Sequence, residues 1–133
     1  MGFDIHGVKP TEVEHYDNFK KEEVVTGEYF RANVWYWRPL WTYICRTCDD
    51  ILTEDDMEAG EYNDAHIISK SKAKRIATRL RKLDKNGYTM NYEKSYYEGA
   101  REAQEKVGHY PFESQVVFEF AEFCKESGGF EIC

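Results

Sequence analysis

Trp37, Trp41, Ile44, Cys48 and Ile51 recur at intervals of four, three, four and three residues. That spacing puts all five on one face of an α-helix. Two tryptophans on such a face need a deep apolar partner, so this stripe constrains the fold more than any other feature. It begins inside "GEYFRANVWYWRPLW", residues 27–41, which holds all three tryptophans and six aromatics in fifteen residues. Pro39 suits a first helical turn, where its missing N–H costs nothing, and Arg38 before it is pushed toward extended backbone. The helix is therefore expected from about Pro39 to just before Thr53. Residues 27–34 are expected to be extended chain leading into it.

The spacing predicts three further helices. Ser69 is a candidate N-cap for a helix with Ala73, Ile76, Ala77, Leu80 and Leu83 inward, ended by Lys85 and Gly87. A third helix is expected from about Met90 to Val107, with Tyr92, Tyr96, Ala100, Ala103 and Val107 on one side and Gly108 as its stop. A fourth should follow Pro111 and reach about Lys125, with Phe112, Val116, Phe120, Phe123 and Cys124 as its apolar face. Residues 11–26, with a turn at Asp17-Asn18, and the acidic stretch 53–66 are expected to be loops. "GFDIHG" near the start and "GGFEIC" at the end share a Gly-Phe-acid-Ile pattern, with Phe and Ile on one strand face. They are expected to form short strands that bring the termini together. The expected fold is α+β and mainly helical, with about four helices and a two- or three-stranded sheet near the termini, as one globular domain over residues 1–133.

Charge is segregated. The net charge is −7, which argues against broad nucleic-acid affinity. Residues 49–64 hold eight acids and no base, whereas residues 69–87 hold eight bases and one acid. Either the two blocks neutralise each other, which is the expectation, or the basic segment presents a face to a phosphate or an acidic partner. Lys72, Arg75, Arg79 and Lys82 would form that face, spaced three, four and three residues apart.

No apolar run approaches the ~18 residues needed to span a bilayer. The first ten residues lack a basic region followed by an apolar stretch, so no secretory signal is expected. A cytoplasmic location is expected, with no membrane partner. Cys45 and Cys48 form a CxxC, and Cys124 and Cys133 complete a potential four-thiol zinc set. Only one close pair exists, and Cys48 falls on the apolar stripe, where a cysteine behaves as a small hydrophobe. No metal and no cofactor are expected. No GxGxxG, P-loop, HExxH or calcium-loop pattern occurs, and the four histidines are scattered. No catalytic residue can be nominated, and an enzyme is the least favoured class.

The aromatic stretch divides. Trp37 and Trp41 belong to the helical stripe and are expected in the core. Arg31, Asn33, Trp35 and Tyr36 precede the expected helix start and cannot all point inward. They are the candidate binding residues, either as a pocket for a planar anionic ligand such as a nucleotide or as a hot spot for a protein.

In order, "GFDIHG", "GEYFRANVWYWRPLW", "YNDAHIISKSKA" and "FAEFCKESGGFEI" resemble a family of small proteins encoded by bacteria and their phages. The resemblance implies a small, cytoplasmic protein often carried by mobile elements, and it brings no activity and no site residues. Larger members of that family have a cysteine-rich insertion before the last helix, which this chain lacks around 105–112. The leading expectation is a non-enzymatic interaction protein, phage-borne, that binds a host protein. Its most concrete form is antagonism of a nucleic-acid-binding defence protein, in the manner of an anti-CRISPR protein, because an acidic body can compete for a basic groove. The alternative is a nucleotide-signal binder using residues 31–36.

Overall fold

The computed structural model describes residues 2–10, 14–17, 22–62, 65–102 and 111–133, with side chains for 2–10, 26–62, 65–98 and 111–133. The fold is α+β and mainly helical. In chain order it runs β1 (Gly2–Gly7), β2 (Glu14–Asp17), β3 (Glu22–Val25), β4 (Tyr29–Asn33), α1 (Val34–Thr47) and α2 (Glu54–Ala59). It continues through β5 (His66–Ile68), α3 (Lys70–Lys85), α4 (Tyr88–Glu102), α5 (Ser114–Glu126) and β6 (Phe130–Ile132).

The two terminal segments pair, as their shared pattern suggested. β6 runs antiparallel to β1, with Ile5 opposite Ile132 and Gly7 opposite Phe130. The sheet is larger than the expected two or three strands. β4 flanks β1 and β5 flanks β6, giving the order β4-β1-β6-β5. Alternation sorts the side chains into two faces. Phe3, Ile5, Ala32, Ile68, Phe130 and Ile132 are buried against the helices. Asp4, His6, Tyr29, Arg31, Glu131 and Ile67 occupy the other face.

One apolar cluster joins the inner sheet face to α1, α3 and α5. Trp37 and Trp41 are at its centre, 0 % and 2 % exposed, with rings stacked 5.4 Å apart. Phe3 stacks on Trp37, and Phe120 meets it edge-on. Both indole N–H groups are satisfied by α2 and its C-cap: Trp37 Nε1 donates to Gly60 O at 2.7 Å and Trp41 Nε1 to Met57 O at 2.8 Å. A second aromatic knot, Tyr43, Tyr92 and Phe112, ties α4 and the segment before α5 to α1, so Phe112 precedes the last helix rather than lying on its apolar face.

Four expectations are corrected. First, α1 spans Val34–Thr47 rather than running from near Pro39 to just before Thr53: the Asn33 carboxamide oxygen accepts from the Trp35 and Tyr36 amides and fixes the first turn upstream, and Ile51 lies in the turn beyond the Cys48 cap. Pro39 then sits inside the helix. Second, residues 53–66 are not all loop. Thr53 and Asp56 form a reciprocal capping box that starts α2, and β5 follows at His66. Third, a two-stranded hairpin, β2–β3, occupies part of 11–26, although Asn18 of the expected turn lies outside the described residues. Fourth, the helices number five among the described residues. The expected third helix appears as α4, and the stretch that held Ala103, Val107 and Gly108 lies outside the described residues. α3 follows its spacing closely: Ala73, Ile76, Ala77 and Leu80 are buried and Leu83 is packed at the core margin. Among the described residues no helix is long and apolar enough to cross a membrane.

Candidate binding surface

Strand β4 and the first turn of α1 carry the four candidate residues, and the local structure gives each a different task. Tyr29, Arg31 and Asn33 alternate with Phe30 and Ala32, so they share the outer side of β4. Asn33 is committed to the helix, its side-chain oxygen 3.1 Å from both amides that it caps. Tyr36 turns back and packs against the core. Trp35 points out and is 47 % exposed. The four therefore do not converge on one pocket, and Arg31 and Trp35 remain the outward pair.

Arg31 gains partners on the sheet that its sequence position did not reveal. Asp4 lies directly opposite it on β1, with Arg31 Nε 3.6 Å from Asp4 Oδ1. The Tyr29 hydroxyl donates to the same carboxylate oxygen. That hydrogen bond, with burial second, pushes the Tyr29 phenol above its ordinary range. The His6 ring leans on Tyr29 with centroids 5.1 Å apart. Period-two alternation in "EYFRAN" was the available signal for this face, but it cannot name the strand opposite.

The exposed side of α1 beyond Trp35 carries two arginines. Arg38, Thr42 and Arg46 follow Trp35 at three-, four- and four-residue steps, hence along one side of the helix. They border a shallow cavity of about 250 Å³ together with Trp41, Cys45, Gly60 and Glu61. Neither Arg38 nor Arg46 makes an ion pair with a described residue.

The basic stripe of α3 is split. Arg79 forms a bidentate pair with Asp50, 2.9 and 2.8 Å, and also donates to Thr47 O at the end of α1. The hydrogen bonds from Arg79 hold Asp50 down at about 2, and Arg79 is raised in turn. Lys72 Nζ lies 2.5 Å from Asp56 Oδ2, and His66 Nε2 lies 2.7 Å from Asp56 Oδ1. Burial alone would raise the Asp56 carboxyl. The bonds from Lys72, the Thr53 amide and His66 outweigh it and hold the group at about 2. Two of the four cations thus meet acids of the 49–64 block, while Arg75 and Lys82 stay exposed.

The thiols are not gathered. Among the described residues no three His, Cys, Asp or Glu side chains are grouped to hold a metal. Cys48 and Cys124 are buried, and Cys133 donates to Glu131 at the end of β6. Burial pushes all four thiols up, Cys45 to about 12. None is poised as a thiolate nucleophile. No family model, no curated protein and no solved structure matches this chain.

Proposed function

We propose that the chain is a non-enzymatic interaction protein that docks on a host protein through the surface formed by Tyr29, Arg31, Trp35 and Arg38. The exposed Trp35 carries this reading. Of the six aromatics in residues 27–41, Trp35 and Tyr29 are the exposed ones; Trp37 and Trp41 are buried, and Phe30 and Tyr36 pack at the core margin. Trp, Tyr and Arg are the residue types that dominate protein hot spots, because a ring or guanidinium gains most when a partner desolvates it. The net charge of −7 supports a partner with a basic, nucleic-acid-binding groove, for which an acidic body competes through long-range attraction. In its most concrete form the protein is a phage-borne antagonist of such a defence protein, acting in the cytoplasm.

The nucleotide-binding alternative is weaker in this geometry. The Asn33 oxygen is engaged by two amides and Tyr36 faces the core, so two of its four recognition groups are occupied.

The test is affinity capture from the native host with tagged wild type and with an Arg31→Ala/Trp35→Ala variant. The wild type should retain a protein that the variant loses by about tenfold or more, as truncating hot-spot residues does. Thermal melts of the two chains should nearly coincide. Equal capture by both chains would place the contact elsewhere, and retention of a small molecule alone would favour the alternative.

A further inference from the structure

The flank of α3 turned toward α5 carries cations that the described acids of residues 49–62 do not reach. Lys74, Thr78, Arg81 and Lys85 are four, three and four residues apart, so they form a line about 16 Å long at 1.5 Å per residue. Two adjoining hollows run along this line and share Thr78 and Arg81. One of about 690 Å³ reaches Lys82 and Lys85, and the other, of about 370 Å³, reaches Lys74 and Lys125 of α5. Together they make one trough with five cations. Arg81 pairs with Glu122 at 3.3 Å and Lys125 has Glu126 at 4.0 Å. Lys74, Lys82 and Lys85 make no ion pair with a described residue. The reason is geometric: Asp50 and Asp56 engage Arg79 and Lys72, on the opposite flank of the same helix.

We propose that this trough binds a short acidic peptide segment of a partner protein. Glu126 also lines the trough and Glu122 engages Arg81, but five cations outnumber these two acids, and an anion laid along the line offsets the repulsion among the cations that remain. Two observations favour a short acidic peptide over a nucleic-acid strand. The described residues lining the trough include no aromatic ring on which bases could stack. Outside residues 69–87, whose own net charge is +7, the chain sums to −14, so a polyanion that outruns the trough meets a repelling surface. A segment of about five extended residues fits within the 16 Å line. This site is separate from the Tyr29–Arg38 surface and does not depend on it.

Fluorescence anisotropy tests the assignment with two labelled probes at 20 mM and 150 mM salt: a hexapeptide of alternating Glu and Asp, and a six-nucleotide oligothymidine. The peptide should bind at low salt and weaken by about tenfold at 150 mM, as rim electrostatics do. Lys74→Glu/Lys85→Glu should reduce its binding by about tenfold or more, whereas Arg46→Glu on α1, outside the trough, should leave it within about twofold. The oligonucleotide should bind more weakly than the peptide. No peptide binding at 20 mM salt, or equal loss from both variants, would overturn the proposal. So would tighter binding of the oligonucleotide, which would make nucleic acid the occupant. Sedimentation at 20 mM salt should show a monomer. A salt-reversible oligomer abolished by Lys74→Glu/Lys85→Glu would mean that acids of a second copy fill the trough, and would equally overturn it.

Discussion

Replacing Gly60 by alanine should destabilise the fold although the backbone there is ordinary. Gly60 has φ −71° and ψ −13°, right-handed helical values that alanine adopts freely. Taken alone, Gly→Ala at such a site stabilises by about 0.4–1 kcal/mol through the unfolded chain. The obstacle is Trp41. A Cβ on residue 60 would fall 2.5 Å from Trp41 Cζ2 and nearer still to Cε2 and Nε1, whereas ordinary contact begins near 3.4 Å. The indole has nowhere to go. It is 2 % exposed, stacked on Trp37, and bonded to Met57 O. Shifting the turn instead endangers the bond from Trp37 Nε1 to Gly60 O. Overpacking of this kind costs about 1–3 kcal/mol, and a lost buried hydrogen bond adds about 1 kcal/mol. The expected net loss is about 2–3 kcal/mol, read as a lower urea midpoint at constant slope. Trp41→Leu should itself be destabilising by about 2–4 kcal/mol, as deleting core volume is. Combined with Gly60→Ala it should lose at least about 1 kcal/mol less than the sum, since the ring that clashes is gone. A Gly60→Ala loss under about 0.5 kcal/mol, or strict additivity in the cycle, would refute the placement of Trp41 over this turn.

Acid should unfold the protein partly through Asp56. Its folded value of about 2 lies below the ordinary 3.8, so its contribution is full above pH 4 and disappears as pH falls toward 2. The shift corresponds to about 2 kcal/mol, and Asp56→Asn should flatten that part of a stability–pH curve. Deleting residues 128–133 removes β6, which joins β1 to β5, so the remaining chain should lose its cooperative urea transition; an unchanged melt would contradict the topology. Thiol titration at pH 8 should label Cys133 well before Cys48 and Cys124, and denaturant should release all four; rapid native labelling of Cys124 would mean that it is not enclosed.

The helices α3 and α5 were legible because their burial follows a 3.6-residue period, and the termini because both carry Phe and Ile two residues apart. The start of α1 was not. Pro39 looked like a first-turn residue, but the Asn33 cap outranks it by satisfying the Trp35 and Tyr36 amides, which starts the helix five positions earlier. α2 has too few apolar residues to show a period, and its only sequence signal was the capping pair Thr53 and Asp56. The candidate residues were half legible. Trp35 and Arg31 do face outward, but whether a side chain such as Asn33 is spent on capping depends on where the helix begins. The two cationic flanks of α3 have similar spacing in sequence. Only the folded positions of Asp50 and Asp56 decide which one is neutralised.

Native mass spectrometry of the protein drawn from the cells that naturally express it tests the central proposal most directly. The expected result is a complex of the 15.7 kDa chain with a host protein, dissociated by salt and absent for Arg31→Ala/Trp35→Ala. The chain alone, or the chain carrying only a molecule of nucleotide size, would contradict it.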